Sequence, residues 1–157
     1  MFGLFKKKGT QTSSIDLENQ RGVIGEYYES DKPVIVKFVN EIPDQKIINS
    51  LPWLTIISWK YDVEINNGMP PKEVNEKMIK LENALEVFYS IDTCRWIYNR
   101  TGNGLKEFNY QISDRDQFIK EINNVLKSHE RYPIEITFYK DSDWKEFRKL
   151  IKDFQQA

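Results

Sequence analysis

Between Trp53 and Tyr139 the hydrophobic period of the chain marks out six elements in succession. Trp53–Tyr61 is apolar on both alternating faces, the pattern of a strand buried on both sides. After the loop Ile65-Asn-Asn-Gly-Met-Pro-Pro71, the apolar residues Val74, Met78, Leu81, Leu85 and Phe88 fall at spacings of four and three, which predicts a helix with one stripe. Pro71 suits its first turn, where a missing N–H costs nothing. Thr93–Arg100 and Leu105–Ile112 read as strands joined by Thr101-Gly-Asn-Gly104, residues that tolerate positive φ in a hairpin. Ser113 with Asp116 resembles a capping box opening a second helix, with stripe Phe118, Ile122, Val125 and Leu126. Pro133–Tyr139 alternates again, with Ile134, Ile136 and Phe138 directed inward.

Outside this block, Val34–Val39 predicts one accessory strand after Pro33. A last helix starting near Asp143, with Glu146 placed to cap it, carries Trp144, Phe147, Leu150, Ile151 and Phe154 on one side. Residues 1–31 hold no stable period and read as a flexible polar leader, leaving 32–157 as one domain. The expected fold is α+β: a ferredoxin-like split βαβ sandwich, an antiparallel sheet with two helices on one face. An extra N-terminal strand and a C-terminal amphipathic helix complete it.

The strand order gives this fold a polarity. Right-handed crossovers make the first two main strands run one way and the last two the other. The loop after Tyr61, the hairpin at Thr101–Gly104 and the link Ser128–Tyr132 therefore meet at one end of the sheet. Trp59, Tyr61, Asn67, Gly68, Arg100, Asn103 and Arg131 lie on or beside those loops and are the candidate binding residues. Asp62, Glu64 and the one histidine, His129, lie there too. The N-terminus of the first helix points the same way, with a positive dipole end.

Composition narrows the chemistry. The 157 residues suit one domain with a sizeable core. Lysine plus arginine (23) nearly cancels aspartate plus glutamate (24), so no global basic field supports a nucleic-acid partner. One cysteine, Cys94, and one histidine exclude a disulfide framework and the usual zinc sets, and no cofactor or metal is expected. Cys94 reads as a small buried side chain. No apolar run approaches the ~20 residues of a membrane span, and the amino terminus lacks the order of a signal peptide; a cytoplasmic location is expected. There is no nucleophile elbow or glycine-rich phosphate loop. The plentiful aromatics lack the consensus of RNA-binding sheets, and the last helix needs the open sheet face for its own apolar side.

Ile57-Ser-Trp-Lys-Tyr61, Asn67-Gly-Met-Pro70, Leu81-Glu-Asn-Ala-Leu85, Thr101-Gly-Asn-Gly104 with Glu107 and Tyr110, Arg131-Tyr-Pro-Ile-Glu-Ile136 and Asp143-Trp144 together resemble the bacterial family known as domain of unknown function 695. The resemblance runs from about Val34 to Trp144. It implies no established activity. Some members are joined to a domain similar to a protein inhibitor of an RNA-degrading endonuclease, which points toward regulation by association only. The expected function is a non-catalytic binding or regulatory protein that meets another protein through the loop end of the sheet. The alternative is a small-ligand enzyme or hydrolase using Asp62, Glu64 or His129. An edge strand leaves room for two copies to pair.

Overall fold

Trp53–Lys60 forms a strand bonded on both sides. The structure is a computed structural model that describes residues 6–8 and 22–155. In chain order its elements are β1 (Lys6–Lys8), β2 (Gly22–Glu29), β3 (Lys32–Val39), α1 (Gln45–Ser50), β4 (Trp53–Lys60) and α2 (Lys72–Ala84). A 3₁₀ turn (Leu85–Phe88) then leads to β5 (Ser90–Ile91), β6 (Cys94–Gly102), β7 (Leu105–Ile112), α3 (Arg115–Leu126), β8 (Ile134–Lys140) and α4 (Lys145–Gln155). The strands lie in the order β1-β2-β3-β6-β7-β4-β8, every neighbouring pair antiparallel, and β5 pairs with β6.

The class is α+β, and the sheet is wider than the four main strands and one accessory strand expected. β3 joins β6, and β2 adds to β3 through a two-residue turn. The expected leader therefore ends earlier than residue 31: Gly22–Glu29 is a strand, and Tyr27 within it is 1% exposed. Residues 1–5 and 9–21 lie outside the described part. The turn at Ser30 (φ 50) and Asp31 (φ 62) has positive φ at both central positions, the geometry that matches strand twist in a tight hairpin.

Alternation along the strands divides the core in two. On one face Ile57, Trp59, Trp96, Phe108 and Tyr110 pack against Met78 and Leu81 of α2, Leu85 and Phe88 of the 3₁₀ turn, and Phe118 and Ile122 of α3. On the other, Tyr27, Val34, Val36, Phe38, Leu54 and Ile97 pack against Ile48 of α1 and Phe147, Leu150, Ile151 and Phe154 of α4. The C-terminal helix thus covers the sheet face that α2 and α3 leave open, together with α1, a short helix not foreseen. A bulge between Trp96 and Tyr98 interrupts the β6–β7 register and shifts the alternation of β6. Cys94 is buried, and burial holds its thiol far above the ordinary range.

The caps differ in detail from expectation. Asp114, not Ser113, caps α3 by accepting from the Gln117 N–H (2.8 Å). Asp141, not Glu146, holds the first turn of α4, accepting from the N–H groups of Lys145 (2.9 Å) and Glu146 (3.3 Å). Pro71 occupies the position before α2 rather than its first turn. No helix among the described residues is long and apolar enough to cross a membrane.

Candidate functional site at the loop end of the sheet

β4 ends at Lys60 opposite Leu105, where β7 begins, and Trp59 lies opposite Ile134, where β8 begins. The loop 61–71, the turn 102–104 and the link 127–133 therefore emerge at one end, as the strand order implies. The β2–β3 turn joins them, since Val34 pairs with Gly102. Of the eight described residues with positive φ, all but Trp144 lie in these turns: Ser30, Asp31, Asn67, Gly68, Gly102, Asn103 and Gly104. Such backbone persists only where its surroundings hold it.

Hydrogen bonds supply that hold. The Tyr61 N–H donates to the Gly104 carbonyl (3.0 Å), and the Gly104 N–H to the Gly68 carbonyl (3.0 Å). The Tyr61 hydroxyl donates to the same Gly68 oxygen at 2.6 Å. Gly68 (φ 84) has no room for a side chain: a Cβ there would lie 3.0 Å from the Asn103 nitrogen. The sequence Asn-Gly…Gly-Asn-Gly is thus what lets two loops touch through their backbones.

Behind the turns lies a charged cluster. Glu29 accepts from Arg100 Nη2 (2.9 Å) and from Asn103 Nδ2 (3.3 Å), and the Tyr27 hydroxyl donates to its other oxygen (3.2 Å). Only 11% of the Arg100 side chain is exposed. Burial opposes the Arg100 charge, but Tyr27, Glu29 and Glu107 outweigh it and raise its pKa. Burial lifts Tyr27 to about 12 against the pull of Arg100. Burial likewise raises the Glu107 carboxyl, with Arg100 acting the other way.

The structure brings Tyr61, Gly68, Asn103 and Arg100 together through this network. Asn67 is exposed beside Gly68. Arg131 is exposed on the link before β8, across β4 from the cluster. Trp59 is 3% exposed, its ring against Tyr132 (5.4 Å between centroids) in the α2–α3 core, so its face meets no partner. His129 Nδ1 shares a hydrogen bond with the Tyr132 hydroxyl (2.9 Å), while Asp62 accepts from the Glu64 N–H (2.9 Å). His129 and Asp62 are thus engaged with different partners. Among the described residues no three His, Cys, Asp or Glu side chains gather where they could hold a metal ion.

Two residues of the site escaped sequence reasoning. Glu29 lies in the stretch without a period, and its pairing needs β2 folded onto β3. Ile65 was visible only as a loop residue, yet it is 65% exposed at the tip of the braced loop. Exposure of an apolar side chain is a tertiary property that spacing does not report.

Fold and site define a class: an antiparallel sheet with helices on both faces, whose one rigid, polar loop end carries an exposed isoleucine and no assembled catalytic set among the described residues. The chain belongs to the DUF695 family, a family of unknown function whose pattern matches residues 29–151. No curated protein and no solved structure matches it.

Proposed function

We propose that this chain is a non-catalytic, cytoplasmic binding or regulatory protein that docks another protein on the loop end of its sheet. The observation that carries the reading is Ile65, an exposed apolar side chain on a loop whose backbone is locked to a neighbouring turn. A preorganised loop loses little entropy on docking, and an apolar group ringed by polar ones is a usual anchor. Asn67, two residues along the same loop, and Arg131, exposed on the link before β8, are the further contact residues in this reading. Tyr61, Gly68, Arg100 and Asn103 hold the loops in place behind them. Near-balanced charge favours a protein over a nucleic acid as the partner. The finer reading of the fold, a ferredoxin-like split βαβ unit, is also ours; the segment order β6-β7-β4-β8, with α2 and α3 in its crossovers, supports it.

Ile65→Arg and Arg131→Ala are expected to unfold at the parent's temperature and to lose a partner recovered with the tagged parent from host extract. Asn67→Gly, which keeps the backbone conformation, is expected to lose part of that recovery. The partner is then purified and titrated against parent and variants. Equal affinity for the parent and Ile65→Arg removes the loop end as the docking surface.

A further inference from the structure

The sheet ends in two edges of opposite character. At one, β1 is three residues long and all lysine, Lys6–Lys8. Short strands and lysines are how proteins keep an edge from pairing with another chain. At the other, β8 runs seven residues, Ile134-Glu-Ile-Thr-Phe-Tyr-Lys140, with no proline and no break in its register against β4. Among the described residues β8 pairs only with β4, and residues 135–140 make no further backbone hydrogen bond. Its outer N–H and C=O groups are therefore a template for one more strand.

The side chains on this edge do not guard it. Ile134, Ile136 and Phe138 lie on the α2–α3 face and are only partly buried against its core. β-Branched and aromatic residues such as these favour strand pairing. Lys140 shares their face, but its ammonium is held over the Trp53 ring of β4, 4.8 Å from the centroid and back from the edge. On the other face Glu135 and Tyr139 are exposed, and no hydrogen bond or ion pair engages either among the described residues. Thr137 stands between them, half-buried.

We propose that β8 pairs antiparallel with β8 of a second copy about a two-fold axis at Thr137, joining the two sheets into one. An axis there pairs all seven residues and leaves every side chain on the face it already occupies. Thr137 then meets Thr137 of the second copy, and Ile136 meets Phe138, both favourable cross-strand pairs. Glu135 lies opposite Tyr139, whose hydroxyl can donate to the carboxylate. Ile134 lies opposite Lys140, so no like charges meet directly. A strand that complements itself at every position favours a second copy over an unrelated chain. The partly exposed Ile134, Ile136 and Phe138 of both copies become one apolar row, and their surface leaves water. Seven residues a side make a small interface, so the dimer is reversible, with a dissociation constant on the order of 10–100 μM. The paired strands run in opposite directions, so the two loop ends lie apart. This interface does not depend on the docking role proposed for them.

The test is analytical ultracentrifugation of the intact protein from low micromolar to about 1 mM concentration. The parent is expected to pass reversibly from monomer to dimer. Thr137→Lys, which sets two like charges together on the axis, is expected to melt at the parent's temperature and to stay a monomer. Tyr139→Arg and Tyr139→Glu change an exposed side chain, so both fold, and they read the register. The first places a positive charge opposite Glu135 of the second copy, the second a negative one. Tyr139→Arg should therefore dimerise about fivefold or more tightly than Tyr139→Glu, with the difference shrinking in high salt. The proposal is overturned if the parent is still a monomer at the top of the concentration range, or if Thr137→Lys, folded, dimerises as the parent does. Equal or reversed affinity of the two Tyr139 variants overturns it too, and decides alone should Thr137→Lys not fold.

Discussion

Glu107 faces Arg100 across the β6–β7 ladder, and burial raises its carboxyl pKa despite that neighbour. A carboxyl with a folded pKa above its unfolded value stabilises through its protonated form. That contribution is complete below the unfolded pKa, about 4.3, and is lost as pH rises through the folded value. Glu107→Gln keeps the shape without the charge, and Arg100 retains Glu29 as its partner. The variant is therefore expected to melt above the parent at pH 7, with the gap closing as pH falls to about 4. A gap that is constant with pH, or of opposite sign, would show that Arg100 dominates Glu107 after all. Arg100 and Asn103 were legible as loop-end residues because one shortly precedes the Gly-Asn-Gly turn and the other is its central residue. Glu29, which holds both, was not, because nothing local marks its strand.

Strand β2 shows why. Its residues Val23, Gly25 and Tyr27 share the face that meets α4, and the middle one is a glycine, which in sequence reads as a break. The glycine is there because Phe154 occupies the space: a Cβ on Gly25 would lie 1.9 Å from the ring. Phe154 in turn stacks on Phe38 of β3 at 4.9 Å between centroids. Gly25→Ala is expected to cost about 1–3 kcal/mol through overpacking. In a Phe154→Ala background that cost should largely vanish, giving a coupling of about 1 kcal/mol or more in urea melts of the four proteins. A coupling near zero would mean that α4 does not seat its last turn on β2. Helix α4 itself was plain from its stripe, whereas its cap moved to Asp141 because Trp144 adopts φ 56 and delays the first turn.

For the whole molecule, the β2–β3 hairpin decides how wide the sheet is. A chain beginning at Lys32, the boundary that periodicity suggests, would lose Tyr27 and Glu29 and strip the outer pairing from β3. That truncation is expected to abolish cooperative unfolding or to lower the urea midpoint sharply, followed by near-UV circular dichroism. An unchanged midpoint would restore the leader reading. By itself the sequence determined the elements whose hydrophobic period is local: β4, α2, the β6–β7 hairpin, α3, β8 and α4. It also determined, through chain direction, the end at which their loops meet. Only the tertiary structure decided that β2 belongs to the sheet, that Trp59 is core while Ile65 is exposed, and that the side chains of Asn109 and Gln111 are sealed in with no hydrogen-bond partner among the described residues. The physical reason is that a period reports which side of an element is apolar. What covers that side, and whether a polar group beneath it finds a bond, depends on residues far away in the chain.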